Sequence, residues 1–400
     1  MSFSKKTAWI LWGLLSFFYG FQFIVRLAPS VMLPDILSKF HITAFHFGHY
    51  SGAYYLGYAL AHVPLGFILD RYPLKWVVSS TIVLSVVGLV PLVLTHNWFL
   101  SVFGRFLIGI GSSGAILAIF KVLNLYFPTH LFSRLLGFSV TIGLMGAVYG
   151  SGPVYYLSST YGWENILIGL VIVGFGLAFI LLFIHTSPQK ITHTMSLRGQ
   201  CGLILRHRSV LITALLAAFM VGPLEGFADV WAVPFLKTVY GLDMSLASFL
   251  PSFIFIGMGI GGPLLAAISE KYQAYEKVLC ISAGLMMVLF VGVVWFHMPI
   301  GLVALCFFIM GILCAYQILA LTLNSRRVPE QYRTLTTALT NMVIMAFGSI
   351  YHLLIGYHMG HYTVYTTQNF RYGLLSIPVG LGLAFVGFII MRKNTNCLKI

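Results

Sequence analysis

Five charged residues lie inside long apolar segments of this sequence. Arg26, Arg105 and Lys121 are basic and fall in the first half, whereas Glu225 and Asp229 are acidic and fall in the second. A charge at the centre of a membrane span costs roughly 2.5–3.5 kcal/mol on insertion scales, so it usually faces protein or water and marks function. These residues can supply a cation that binds an anionic group, and carboxylates that take up and release a proton.

The apolar segments themselves predict membrane spans. The chain has 400 residues, of which 59% are hydrophobic and only 8% charged, whereas soluble domains carry about 25% charged residues. Its runs are continuous and longer than the alternating segments of about 10 residues in a β-barrel. We therefore predict an all-α polytopic membrane protein with twelve transmembrane helices, at residues 8–33, 45–69, 75–95, 98–126, 135–158, 163–184, 209–236, 246–268, 278–296, 299–324, 334–357 and 372–391.

The basic residues predict the orientation of these spans. Of the 23 Lys and Arg residues, only Lys39, Lys237 and Arg371 fall in loops that are outside when the N-terminus is cytoplasmic. This asymmetry places both termini in the cytoplasm, and we expect the bacterial inner membrane. It also explains the net charge of +14 without a nucleic-acid partner.

The five cysteines form no CxxC pair, so no metal site is predicted.

The two halves of the chain repeat each other. The second span ends with Leu56-Gly57 and then Asp70-Arg71-Tyr72, and the eighth ends with Ile256-Gly257 and then Glu270-Lys271-Tyr272, two hundred residues later. We divide the chain into an N-terminal six-helix bundle (1–184), a cytoplasmic central loop (185–208) and a C-terminal six-helix bundle (209–400). Such parallel, pseudo-symmetric halves place a substrate site between them near the midplane of the membrane.

Two motifs carry a resemblance to a known family. The spacing of Gly66, Asp70, Arg71 and Lys75 resembles the signature loop between the second and third helices of the major facilitator superfamily. Arg105-xxx-Gly109-x-Gly111 resembles the fourth-helix motif of that superfamily. The resemblance implies the major facilitator fold. It also implies conformational rather than substrate-binding roles for the residues of the hinge, Gly66, Asp70, Arg71 and Lys75, and for Arg105.

The first helix adds a candidate for substrate binding. Its segment from Val25 to Ser30 is similar to the first-helix pattern of the organic-anion symporters of this superfamily, with Val25 in place of an Asp. The first and seventh helices line the central cavity of the family fold, so Arg26 would meet an anionic group there. We expect Gln22 and Tyr19, which share its helical stripe, to hold Arg26. Further candidate substrate-binding residues are Tyr54, Tyr58 and Gln317.

Glu225 and Asp229 are the candidate proton carriers. Burial favours the neutral form of a carboxylate and a nearby arginine favours its ionised form, so protonation can follow the conformational cycle. Gly222-Pro223 and Gly226 flank Glu225 and predict a loosened helix there. A permanent ion pair between Arg26 and either carboxylate, fastening the halves, remains an alternative. His62 can titrate near neutral pH or simply bond to a neighbouring helix.

Together these features predict a secondary active transporter. Its substrate would be a small anionic or zwitterionic organic solute, moved by alternating access as a monomer in the bilayer. The proton gradient would drive symport, with no cofactor, and a proton-coupled antiporter or efflux carrier is the alternative. An enzyme is not expected, since no HExxH or GxSxG motif occurs. A receptor would not need the repeated hinge, and an ATP-driven pump would need a P-loop.

Overall fold

A computed structural model describes residues 5–184, 202, 204, 207–360 and 366–397. Within these ranges, twelve helical segments are long and apolar enough to cross a membrane. They are, in order, Lys5–Val31, Ala44–Arg71, Leu74–Leu94, Trp98–Tyr126, His130–Tyr149, Trp163–Leu182, Arg208–Ala228, Met244–Lys271, Tyr275–Trp295, Ile300–Arg326, Arg333–Gly360 and Thr367–Arg392. The predicted number of spans is confirmed, and most of the predicted central loop (185–208) lies outside the described residues.

Several spans consist of more than one helix. The third contains Leu74–Val87 and Val90–Leu94, the eighth Met244–Phe249 and Ser252–Lys271, the tenth Ile300–Cys314 and Tyr316–Arg326, and the twelfth Thr367–Gly373 and Ser376–Cys397. The fifth, Thr129–Tyr149, is followed by Gly152–Tyr161, and the first by Leu33–Phe40. A 3-10 turn, Glu330–Tyr332, precedes the eleventh span. The seventh is the most interrupted, with Arg208–Phe219, a π-helix Gly222–Ala228, and Ala232–Val239.

The described chain separates into two compact units. The first unit is Met1–His41 with Ala53–Ser196, and the second is Ile42–Gly52 with Leu197–Ile400. Within the second unit, the segment Ile42–Gly52 lies against the eleventh span: a Cβ atom at Gly48 would be 2.8 Å from the Cα atom of Gly356. This close approach of two glycines explains why the beginning of the second span groups with later spans.

Glycines in the first unit allow the second and fourth spans to cross closely. A Cβ atom at Gly57 would overlap the carbonyl oxygen of Phe106, and one at Gly109 would overlap that of Tyr54. Backbones approach this closely in membranes where small residues line the contact. Gly109 belongs to the fourth-helix motif, so that motif has a packing role in this chain.

The eighth and tenth spans of the second unit repeat this crossing. A Cβ atom at Gly257 would overlap the carbonyl oxygen of Phe308, and one at Gly311 would overlap that of Ile254. Gly257 follows Gly57 by the two-hundred-residue offset of the repeat. The repeated sequence pattern therefore encodes a helix crossing that each unit uses.

Basic side chains cap helix ends on one side of the membrane. The odd-numbered spans end on this side, which we call the Lys39 side. The opposite side of the membrane, where the even-numbered spans end, is called the Asp70 side. Lys39 Nζ donates to the carbonyl oxygens of Leu92 (3.1 Å) and Val93 (2.6 Å), at the end of the third span. Arg371 donates to those of Val294 (3.4 Å) and Trp295 (2.8 Å), at the end of the ninth. The last carbonyls of a helix lack intrahelical donors, and a cation there is stabilising.

The glycine crossings give a first prediction. Gly109→Ala and Gly311→Ala should each lower the thermal unfolding temperature of the detergent-purified protein, because overpacking costs about 1–3 kcal/mol and the obstacle here is backbone. The matched control is Gly169→Ala, since a Cβ atom there meets nothing within 4 Å. The packing role would be contradicted if the Gly109→Ala and Gly311→Ala proteins unfolded at the same temperature as the Gly169→Ala protein.

Candidate substrate and coupling sites

Arg26 lies in an aromatic pocket of the first unit. Its side chain is 7% exposed, and its Nη2 donates a hydrogen bond of 2.6 Å to the hydroxyl of Tyr55. Its Cζ atom lies 5.1, 5.3 and 5.8 Å from the ring centroids of Tyr55, Phe23 and Tyr54. Ring faces attract a cation within about 6 Å. The pocket therefore stabilises a buried positive charge with π-systems and a hydroxyl.

A proline in the first span determines how Arg26 is supported. Pro29 has no N–H, so the carbonyl oxygen of Val25, four residues earlier, loses its helical donor. Arg105 replaces that donor: its Nη1 bonds to Val25 O at 3.2 Å and its Nη2 to Arg26 O at 2.6 Å. Its guanidinium also lies 5.0 Å from the ring centroid of Tyr54. Arg105 thus fixes the backbone from which the Arg26 side chain projects.

Most of the other residues predicted to bind substrate also lie in the first unit. Gln22 is buried, and its Oε1 accepts a 3.0 Å hydrogen bond from the Tyr54 hydroxyl. Tyr54 therefore links Gln22 with the pocket. The ring of Tyr58 lies 6.2 Å from that of Tyr54 and stacks at 5.4 Å on buried His62. A line of aromatic rings thus connects His62 to the Arg26 pocket.

Arg26 has a partner, Tyr55, that the sequence analysis did not name. Gln22 and Tyr19 were predicted to hold Arg26, and Arg26 also donates a hydrogen bond to the hydroxyl of Tyr55. Tyr19 packs edge to face on Phe23, with ring centroids 5.3 Å apart. Tyr55 was not predicted because the sequence analysis considered only the helix face of Tyr54 and Tyr58, which are spaced i, i+4. Tyr55 lies about 100° away from Tyr54 around the helix axis. The predicted roles of these side chains remain predictions.

The second unit contains a corresponding break in the seventh span. Pro223 leaves the carbonyl oxygen of Phe219 without its helical donor, and the Tyr351 hydroxyl donates to that oxygen at 2.7 Å. Gly222 and Gly226 make room for the Tyr351 side chain, because Cβ atoms there would lie 3.2 and 3.0 Å from it. The loosened helix predicted around Glu225 is confirmed as a π-helix.

Glu225 lies within this π-helix. It is 2% exposed, and its Oε1 accepts a 3.0 Å hydrogen bond from Nε2 of Gln317, in the tenth span. Gln317 was predicted to bind substrate, and the structure places it beside the candidate proton carrier. Its amide can donate to the ionised carboxylate or accept from the protonated one after rotation. Both protonation states of Glu225 therefore have a hydrogen-bonding partner in Gln317.

Asp229 follows the π-helix and is 1% exposed. Its backbone N–H donates to the carbonyl oxygen of Leu224 at 3.2 Å, which is the i→i+5 pattern of a π-turn. An α-helix would place Glu225 and Asp229 about 40° apart, but the wider turn changes that angle.

Among the described residues, no group of three His, Cys, Asp or Glu side chains is arranged to hold a metal ion.

The hinge residues lie on the Asp70 side of the first unit. Asp70 Oδ1 lies 3.8 Å from Nζ of Lys121, which also donates to the carbonyl oxygen of Leu69. Lys121 therefore lies at the end of the second span. The Arg71 guanidinium lies over the ring of Phe67, 3.9 Å from its centroid. Lys75 donates to Leu182 O at 3.3 Å, and the space beside Gly66 is open.

Residues 12–352 match the family described as Major Facilitator Superfamily. This chain belongs to that superfamily. It is 22% identical to the uncharacterized transporter YybO of Bacillus subtilis, over 98% of this chain and 96% of that protein. It is also 22% identical to the probable galactarate/D-glucarate transporter GudP of Escherichia coli, over 98% and 94%. The prediction of a transporter rather than an enzyme is confirmed.

A solved structure supports the same fold. A bacterial homologue of the human lysosomal transporter Spinster, in an inward-facing and unoccupied conformation, superimposes with a TM-score of 0.80. The two chains are 16% identical, and the match covers 98% of each. The chain therefore has the major facilitator fold.

The bond between Tyr351 and Phe219 gives a second prediction. Tyr351→Phe should lower the free energy of unfolding of the protein by about 1–3 kcal/mol, because the buried carbonyl of Phe219 loses its hydrogen-bond donor. Unfolding of purified protein in detergent would measure the change. Tyr156→Phe is the control, since Tyr156 is 70% exposed. Equal stability of the two variants would show that the hydroxyl is not needed to close the break in the seventh span.

Proposed function

We propose that this chain is a proton-coupled symporter of a small organic anion and works by alternating access. The observation that carries the proposal is the buried guanidinium of Arg26, held among aromatic rings and a tyrosine hydroxyl. Guanidinium groups bind carboxylates with two parallel hydrogen bonds. The similarity to a probable galactarate/D-glucarate transporter supports a sugar-acid type of substrate.

Each candidate residue has a role in this proposal. Arg26 would bind a carboxylate of the substrate, and Arg105 would keep the first span in the position that this requires. Gln22 and Tyr54, which are bonded to each other beside the pocket, would contact polar groups of the substrate. A hydroxylated acid suits such a site, because buried hydrogen-bonding groups discriminate strongly against analogues that leave them unpaired.

Glu225 would carry the coupling proton in the second unit. It is buried in a helix already loosened by Pro223 and can bond to Gln317 in both protonation states. Exposure to water in another conformation would allow it to release the proton. Asp229 is the second candidate carrier, and His62 the third. The proton gradient would then supply the driving force, with both termini in the cytoplasm of a bacterial cell.

Arg26→Gln should abolish uptake of a radiolabelled sugar acid, such as glucarate, into proteoliposomes with an imposed inward proton gradient. The neutral amide cannot supply the charge that stabilises a bound carboxylate, a contact of about 1.5–3 kcal/mol. Arg134→Gln is the control, because Arg134 is exposed. Uptake by Arg26→Gln at normal affinity would remove Arg26 from the site. Absence of uptake of every sugar acid by the wild-type protein would argue against the substrate class.

Glu225→Gln and Asp229→Asn should separate exchange from accumulation. An amide cannot titrate, so a variant of the true carrier should retain counterflow of substrate but lose accumulation driven by the proton gradient. Both activities are measured in the same proteoliposomes, with Glu330→Gln, at an exposed position of the 3-10 turn, as the control. If both variants still accumulate substrate when the gradient is imposed, the carboxylates do not couple transport, and His62 becomes the candidate.

A further inference from the structure

An apolar groove runs along the second unit on the Lys39 side. Its larger lobe has a volume of about 460 Å³ and includes Gly292, Phe296 and Met298 in its lining. Met298 follows the ninth span, so this lobe extends to the membrane surface. All nine lining residues are apolar or Cys306. An ordered water needs two to four polar partners, and this lining is apolar apart from Cys306, so hydrocarbon is the occupant that fits this depth in a membrane.

A second lobe adjoins the first. Its volume is about 360 Å³, and its lining includes Trp295 and Leu375. Val291 and Pro378 belong to both lobes and form a wall between them. Two neighbouring apolar lobes with a shared wall suit two hydrocarbon chains that are joined at one end. Trp295 is at the end of its span, where an amphipathic ring lies at the level of the lipid headgroups.

A cation lies beside the second lobe. The Arg371 guanidinium donates to the carbonyl oxygen of Trp295, and Leu375, one turn after Arg371, lines the lobe. A guanidinium has five N–H donors, and Arg371 uses one at Nε and one at Nη2 for Val294 and Trp295. No carboxylate of the described residues forms a salt bridge with it. The remaining donors suit an anion such as a phosphate.

We propose that this groove binds one glycerophospholipid of the leaflet on the Lys39 side. Its two acyl chains occupy the two lobes on either side of Val291 and Pro378, and its phosphate binds the guanidinium of Arg371. Two apolar lobes and one cation define the site. It is separate from the candidate substrate and coupling sites, because none of the residues assigned to those sites lines either lobe.

Lipid binding by delipidated, detergent-purified full-length protein tests the proposal. Native mass spectrometry and thermal shift would be recorded with phosphatidylglycerol, with lysophosphatidylglycerol and with inorganic phosphate. We expect phosphatidylglycerol to remain bound and raise the unfolding temperature. The one-chain lipid should bind more weakly, and inorganic phosphate should have no effect. An equal shift with inorganic phosphate would overturn the assignment to a lipid.

Two variants and two matched controls locate the site. Gly292→Leu fills the first lobe, where a Cβ atom would meet only the flexible end of Met298. Arg371→Gln removes the charge and should weaken phosphatidylglycerol binding about tenfold. Gly176→Leu, at a position with nothing within 4 Å, controls for a new leucine. Lys39→Gln controls for loss of a helix cap, since Lys39 caps the third span as Arg371 caps the ninth. This substitution also removes the ion pair between Lys39 and Glu164.

The outcomes separate lipid binding from folding. We expect both control variants to bind phosphatidylglycerol as the wild-type protein does, and Gly292→Leu to bind it several-fold more weakly while remaining folded. If Arg371→Gln loses stability with its cap, Gly292→Leu still decides the result. Wild-type affinity in Gly292→Leu would overturn the proposal.

Discussion

The structure depends on backbone carbonyl groups that have lost their donors inside a membrane. A proline in a helix removes one N–H, and no water is available in the hydrocarbon region to replace it. Pro29 frees the carbonyl of Val25, and Pro223 frees that of Phe219. The chain satisfies the first with the guanidinium of Arg105 and the second with the hydroxyl of Tyr351. Each donor comes from another span, so each break also joins two helices of the same unit.

These two breaks place the candidate functional groups. Arg26 follows the freed carbonyl of Val25 directly, and its own carbonyl is held by the same guanidinium. Glu225 follows Pro223 by two residues, inside the π-helix. A side chain next to a helical irregularity can reorient with less disruption than one in a regular helix, and π-helical turns often occur at functional sites. The position of each charge therefore follows from the irregularity beside it.

The regular crossings elsewhere supply the rigidity that such breaks need. In each unit, glycines bring two spans into backbone contact, at Gly57 and Gly109 and again at Gly257 and Gly311. The two units thus share this crossing, whereas the first contains the buried Arg26 and the second contains the buried Glu225 and Asp229. Lys39 and Arg371 cap helix ends, which explains two of the few basic residues on a side otherwise poor in them.

Hydropathy and spacing were enough to predict the twelve spans, the repeat and the buried charges, because these are properties of single segments. The partners were not predictable, since they join distant parts of the chain: Arg105 lies 80 residues from Val25, and Tyr351 lies 132 residues from Phe219. Tyr55 was not predicted because the sequence analysis considered a different face of the second span, the one that carries Tyr54 and Tyr58.

Part of this information was nevertheless present in the sequence. A proline within a predicted span identifies the carbonyl four residues earlier as one that needs a donor, and it limits the candidates to polar side chains buried in other spans. Arg105 and Tyr351 both meet that description. Pro29 and Pro223 therefore carried information about tertiary contacts, although each is usually considered only as a local feature of its helix. The identity of the donor still depends on which spans are neighbours, and that is determined by the packing of the whole unit.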